Sequence, residues 1–467
     1  MLDLIIQGGT VVLADEVQKL DIGVRDGRIA VLAESLQDEG CTARFDAQGL
    51  IVMPGAVDIH VHFNEPNFGH WEGFATGSAA LAAGGCTAFA DMPLNGNPPT
   101  VTGEALQQKL DLAEGRTAVD YTLWGGLVPG NLDQLETLAE RGVIGFKAFM
   151  SNPGGEGEGR FREADDWTLY EGMKRIAALG GFVAVHAESD SITSRLAGEA
   201  VAAGRMDAHA FAASRPAIAE LEAVNKAILF AEETGCPTHF VHISTPAAVK
   251  LIGRAKKRGV PVTAETCPHY LVLTENDMAA LGPVAKCAPP LRDDASREEL
   301  WSLLAAGELD VVASDHSPCP PELKFKEGLS FFEAWGGISG AQSSLELMLD
   351  EGWLKRGISL PLLAKVLSAG PAKRFGLYPR KGEIAVGADA DFAIVNAESG
   401  YTLGAEQLQY RHKHSPYVGR SFGCKVAATF VRGRLVYTAE AGVVAAGSGK
   451  PLLEPALARQ NGRQSGS

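Results

Sequence analysis

The sequence has little with which to hold a polyanion: across 467 residues, 42 Lys and Arg face 57 Asp and Glu, a formal net charge of -15. A chain of that charge repels a polyanion overall, so nucleic acid is a poor candidate partner. Paired cysteines are also missing. Cys41, Cys86, Cys236, Cys267, Cys287, Cys319 and Cys424 are scattered, odd in number and form no C-x-x-C motif. That usage predicts reduced thiols in a cytoplasm rather than a disulfide framework. No uninterrupted apolar run reaches about 18 residues, and Met1-Leu2-Asp3-Leu4-Ile5-Ile6 has no basic stretch ahead of its apolar residues. Neither membrane insertion nor secretion is expected. A Gly-rich phosphate loop is lacking too, which weighs against a doubly wound nucleotide-binding sheet.

What is present is the composition of a globular chain, 46% hydrophobic and 21% charged. Residues 1–53 read as short strands, Leu4 to Ile6, Thr10 to Val12, Ile22 to Val24 and Ile29 to Leu32, with Asp26-Gly27 as a tight hairpin turn. From 54 to 375, short apolar runs alternate with segments of helical spacing such as Leu132, Leu135 and Leu138. The strand candidates there are Ala56 to His62, Ala88 to Asp91, Asp120 to Gly125, Gly145 to Met150, Phe182 to Glu188, Thr238 to Ile243, Val260 to Glu265 and Asp310 to Asp315. Eight such units predict an α/β fold, a closed (β/α)8 TIM barrel with its chemistry at the C-terminal strand ends. Over 376–467 the β pattern returns at Asp391 to Val395, Val426 to Val431 and Leu435 to Tyr437. Both termini are thus expected to build one small β-sandwich beside the barrel, with residues 460–467 a loose tail.

The chemistry-bearing residues cluster at those strand ends. Asp58, His60 and His62 are spaced by two, which on a strand puts their side chains on one face. Two imidazoles so placed can share a metal, although surface histidines give the same string. Lys147 falls inside the fourth strand, where burial disfavours its charge. It reads either as half of a buried ion pair or as an amine carbamylated by carbon dioxide. His186 and His242 close the fifth and sixth strands, and either alone could be a core histidine. Asp315 ends the eighth, where an unpaired carboxylate is costly unless a cation or strong donors face it. A barrel brings all six to one mouth.

This constellation resembles the amidohydrolase superfamily, in particular its branch of cyclic-amide hydrolases: dihydroorotases, hydantoinases, dihydropyrimidinases and allantoinases. The strings that carry the likeness are Met53 to His62, Phe146 to Phe149, Glu265-Thr266-Cys267-Pro268-His269-Tyr270, Ser314-Asp315-His316 and Gly387 to Asp391. The resemblance implies two divalent metal ions, zinc with cobalt or manganese as alternatives. His60, His62 and Asp315 would hold the more buried ion and His186 and His242 the other. Carbamylated Lys147 (N6-carboxylysine) and a water-derived hydroxide would bridge them. It further implies Asp315 as the general acid-base and a homotetrameric assembly.

Within the branch, dihydroorotases carry an Arg two residues after the second His, where this chain has Asn64, and hydantoinases a Tyr where it has Asn152. The strings His60 to Pro66, Trp71 to Phe74, Asp91 to Asn95, Ser314 to Pro321 and Arg411 to Tyr417 are instead similar to those of allantoinases. That likeness implies hydrolysis of allantoin to allantoate, with ring contacts near Cys287, Ser317 and Ser339 and with His412 and His414 structural. A hydantoinase-type activity and a non-catalytic scaffold remain the alternatives. A thiol nucleophile at Cys287 or Cys319 lacks a recognisable general base, and Gly154, Gly155, Gly157 and Gly159 suit either a lid or a plain surface loop.

Overall fold

The computed structural model describes residues 1–37, 39–155 and 159–454; Gly157 and the tail at 460–467 lie outside the described residues. The N-terminal segment forms β1 (Leu2–Val12), β2 (Val17–Arg25), β3 (Arg28–Ala33), β4 (Cys41–Asp46) and β5 (Ile51–Pro54). Asp26 and Gly27 both take left-handed backbone, φ 52° and 75°, as a two-residue hairpin between twisted strands requires. The two strands expected between Leu4 and Val12 are one. A bulge between Ile6 and Gly9 absorbs the break in pattern without ending the pairing to β2.

The barrel strands follow as β6 (Ala56–Val61), β7 (Cys86–Asp91), β8 (Asp120–Leu123) continued by β9 (Gly125–Gly126), β10 (Phe146–Phe149), β11 (Val183–His186), β12 (Thr238–Phe240), β13 (Val262–Thr266) and β14 (Val311–Val312). Parallel ladders run β6-β7-β8 and β9 to β14. The ring closes between its first and last strands: Val61 bridges His316 in parallel, and the His62 N–H donates to the His316 carbonyl at 2.8 Å. At the other seam, Trp124 sits between β8 and β9, its indole N–H donating to the Ile59 carbonyl at 2.9 Å. Val57, Ala88, Trp124, Phe182, Ala184, Val241 and Val311 are buried in one cluster. Residues drawn from strands all around a ring can meet only at its centre, so this cluster fills the barrel below the site.

The C-terminal segment supplies β15 (Phe392–Asn396), β16 (Tyr401–Thr402), β17 (Ser421–Phe422), β18 (Lys425–Val431), β19 (Arg434–Thr438) and β20 (Gly442–Val443). Among the described residues, the two termini share a nine-stranded mixed sheet ordered β20-β19-β18-β15-β5-β1-β2-β3, with β4 on β1. Its core joins both ends of the chain: Ile6, Val24 and Val52 pack with Phe392, Ile394 and Phe430. A buried ion cluster fastens it to the barrel. Lys381, 1% exposed, meets Asp391 at 2.6 Å, Asp120 of β8 at 2.7 Å and Asp389 at 3.0 Å, and Arg432 also pairs with Asp120. Burial acts to lower the Lys381 ammonium, but the three carboxylates outweigh it and hold its pKa above the usual lysine range. Among the described residues, no helix is long and apolar enough to cross a membrane.

Candidate metal centre

The Nε2 atoms of His60 and His62 lie 3.1 and 3.3 Å from one oxygen of Asp315. All three side chains are buried, and their ligand atoms fall within 4.8 Å of one another. Asp58 does not join them. A bulge between Asp58 and Val61 breaks strict alternation in β6, and the Asp58 carboxylate instead accepts from the N–H groups of His60 and Ser314, each at 3.2 Å. His242 and Asp315 stand just past β12 and β14 in left-handed backbone, φ 38° and 46°. Such conformations cost on the order of 1–3 kcal/mol each and persist where the surrounding scaffold dictates them.

Two carboxylates to which the sequence assigns no role set the imidazoles. Glu265, fully buried on β13, accepts from His60 Nδ1 at 2.7 Å, from His239 Nε2 at 3.1 Å and from the His242 backbone N–H at 3.0 Å. With its proton on Nδ1, His60 turns the lone pair of Nε2 toward Asp315. Glu188 does the same for His186, whose Nε2 lies 2.8 Å from it, so that Nδ1 faces His242 Nε2 at 2.9 Å. Arg215 neutralises Glu188. Burial would raise both acids, but Arg215 with His186, and His60 with His239, hold each at about 2. Burial pushes His62 down to about 4, leaving its ring neutral near pH 7, and Asp315 is held well below the carboxylate range because His60, His62 and His242 outweigh its own burial.

Lys147 lies in the middle of β10, fully buried, 4.9 Å above the Phe149 ring. Among the described residues its Nζ has no hydrogen-bond partner. Burial lowers it to about 8, so a neutral amine is within reach near neutral pH. The buried ion pair that the sequence left open is therefore not what holds it. An orphan amine beside imidazoles with aimed lone pairs and a carboxylate fits a group that adds oxygen ligands there, and the donor set of four nitrogens and oxygens suits divalent ions of the zinc type. A second donor group, Cys267, His269 and Asp315, meets at the same carboxylate.

A cavity of about 430 Å³ opens onto His60, His62, His186, His242 and Asp315. Cys287, Ser317, Asn95, Asn152, Arg215, Gly154 and Gly155 also line it, whereas Lys147 and Ser339 do not. Ser339 lies behind the wall, its carbonyl accepting from Ser415 Oγ at 2.6 Å. Gly159 borders a smaller adjoining space of about 170 Å³ with Phe68, Trp71 and Trp335. A larger cavity, about 620 Å³, shares Glu188 but holds none of the six candidate ligands. Burial raises the Cys287 thiol to about 12 and that of Cys319 to about 11, which leaves neither as a thiolate. His412 and His414 each place Nε2 at 2.9 Å from a backbone carbonyl, of His70 and Cys319, as structural histidines would.

The sequence profile of the amidohydrolase family matches residues 51–436. The chain is 51% identical to an allantoinase of Rubrobacter xylanophilus over 97% of its own length and 98% of the relative's. It is 50% identical to an allantoinase of Deinococcus radiodurans, covering 93% and 95%. Among solved structures it superposes on the L-hydantoinase (dihydropyrimidinase) of Arthrobacter aurescens with TM-score 0.94 at 36% identity, covering 97% of this chain and 100% of that one. A D-hydantoinase gives TM-score 0.88 at 30% identity, covering 97% and 98%.

Proposed function

The chain belongs to the amidohydrolase family, and from that membership we propose that it is a metal-dependent hydrolase opening the hydantoin ring of allantoin to give allantoate. The observation that carries the reading is the meeting of His60, His62 and Asp315 with His186 and His242 on the wall of one cavity, with a buried Lys147 near them that has no hydrogen-bond partner among the described residues. His60, His62 and Asp315 would hold one divalent ion and His186 and His242 the other, with Lys147 carbamylated between them. Two such ions, zinc in this reading, would polarise the ring carbonyl and lower the pKa of a shared water.

The chain's own groups do the rest. Glu265 and Glu188 fix the ring nitrogens that face the reacting centre. Asp315 takes the proton of the attacking water and returns it to the departing ring nitrogen, a role worth about 10²- to 10⁴-fold. The walls around Cys287 and Ser317, with Ser339 behind them, would orient the ring through backbone groups and the Ser317 hydroxyl.

The identity with allantoinases supports allantoin over other cyclic amides. A hydantoinase-type activity is the second reading, favoured by the TM-score of 0.94 to L-hydantoinase. Ring-opening rates on allantoin, hydantoin, dihydrouracil and dihydroorotate at equal metal loading decide between them. The remaining parts of the proposal rest on resemblance and composition: a homotetramer, a cytoplasmic location consistent with seven free cysteines, and a division into 1–53, 54–375 and 376–467.

A further inference from the structure

We propose that Cys267, His269 and Asp315 form a third cation site, for a thiophilic divalent ion such as Zn²⁺ or Cd²⁺, and that filling it inhibits the enzyme. Cys267 caps the helix Pro268–Val272 directly after β13, and Pro268 at the first helical position starts that turn where the strand ends. The turn carries Cys267 and His269 to the carboxylate on the neighbouring strand end. The thiol, one ring nitrogen and one carboxylate oxygen all lie within 4.8 Å of one another, and all three residues are buried. Around a tetrahedral zinc, sulfur at about 2.3 Å and nitrogen or oxygen at about 2.0–2.2 Å stand roughly 3.3–3.8 Å apart. Small side-chain movements would therefore close the cluster on an ion, with water as a fourth ligand.

A second observation points the same way. His269 is 1% exposed, and among the described residues neither of its ring nitrogens has a hydrogen-bond partner. A buried imidazole always presents at least one donor, so two orphaned nitrogens are out of keeping with a purely packed role. The His269 ring also packs edge-on against Tyr270 at 4.3 Å, which restricts its turning away. Burial, with the charges of Asp315 and Glu265, keeps the Cys267 thiol protonated while the site is empty, so an entering ion displaces that proton to solvent, and the sulfur ligand so formed selects zinc and softer ions over magnesium or calcium. A carboxylate has two oxygens, so Asp315 can face His60 and His62 with one and an ion at Cys267 and His269 with the other. Engaged on both, it can no longer move a proton. This inhibitory consequence rests on the role given to Asp315 above; the binding does not.

The test starts from enzyme whose two resident ions have been counted by elemental analysis, to which Cd²⁺ is added. The expected result is one further ion per chain with the original two retained, a sulfur-to-cadmium charge-transfer absorption, and at least a tenfold loss of allantoin turnover. Cys267→Ser should abolish the absorption and raise the Cd²⁺ needed for inhibition at least tenfold. His269→Gln should weaken binding in the same direction and serves if the serine variant does not fold. Cys287→Ser, on the cavity wall, should leave the absorption in place. The inference is overturned if total metal stays constant while Cd²⁺ displaces a resident ion, if no third ion is retained, or if the absorption follows Cys287 rather than Cys267. Enzyme that binds the third ion at Cys267 yet never hydrolysed allantoin would count against the proposed reaction and not against the site.

Discussion

Glu265 Oε1 lies 2.7 Å from Nδ1 of His60, and this contact decides which nitrogen of the imidazole faces Asp315. The two residues are 205 positions apart and come from the first and seventh barrel strands, so the ring of strands is what assembles the ligand. Glu265→Gln replaces one acceptor by an amide that can present its N–H₂ to His60 and reverse the tautomer. Metal affinity is expected to fall about 10- to 100-fold, read by competition with a chelator, with the fold intact by circular dichroism. Unchanged affinity would show that the imidazole is set by something else.

Lys147→Ala should lose metal and turnover together, because in the proposed reading the carbamate on Lys147 supplies the oxygens shared by the two ions. Acetate or propionate in the buffer should partly restore both. Full metal content and rate in the untreated variant would make the lysine a packing residue.

Asp315→Asn should keep the fold and lose at least about 10²-fold in turnover, since an amide cannot carry the proton. Metal content is measured in parallel, as the same side chain faces His60 and His62. A metal-replete variant with full activity would remove Asp315 from the proton path.

Discrimination among substrates should be strongest against dihydroorotate. The cavity does contain an arginine, Arg215, but Glu188 already neutralises it, and a substrate carboxylate buried without a partner is expensive. Unsubstituted hydantoin should be a milder loss, set by the polar groups left without the ureide tail. Hydantoin or dihydrouracil outrunning allantoin at equal metal loading would shift the assignment to the hydantoinase branch.

Acid should destabilise the metal-free protein in the range where histidine titrates. His62 and His269 are each lowered by burial to about 4 from 6.5. Between those values the unfolded chain binds protons that the folded chain refuses, so stability rises with pH. From pH 7 to pH 5, His62 alone accounts for a loss of about 2 kcal/mol. Glu188 and Glu265, lowered to about 2 from 4.5, act in the same direction in a lower window; their contribution is complete above about 4.5 and is lost toward pH 2. Urea unfolding of the metal-free protein at pH 7 and 5 measures the difference, and a flat profile would contradict it.

The strand ends are legible because short apolar runs stopping at His62, His186, His242 and Asp315 are local features. Their boundaries are less so. β14 spans only Val311–Val312, and His62, His242 and Asp315 stand beyond their strands, since the left-handed backbone that aims two of them leaves no trace in composition. Strict alternation places Asp58 on the histidine face, whereas the bulge after it is a property of its pairing with β7 that the local sequence does not show. Glu188 could have been found from its spacing of two from His186. Arg215 could not: it reaches Glu188 from a loop 27 residues away, and nothing in its neighbours announces a partner. Glu265 sat inside a recognised string, but its bond to His60 exists only once the barrel has closed.

The buried cluster around Lys381 has a consequence for the order in which the chain can mature on the ribosome. Asp120 enters early, on the third barrel strand, yet the cations that neutralise it, Lys381 and Arg432, are synthesised some 260 and 310 residues later. Strand β5 likewise waits for β15, which pairs it residue for residue from Pro54–Phe392 to Ile51–Val395. A nascent chain halted after the eighth barrel strand would hold the Asp120 carboxylate without either counter-charge and β5 without its β15 partner, so the sheet and its tie to the barrel are completed only when the last segment emerges.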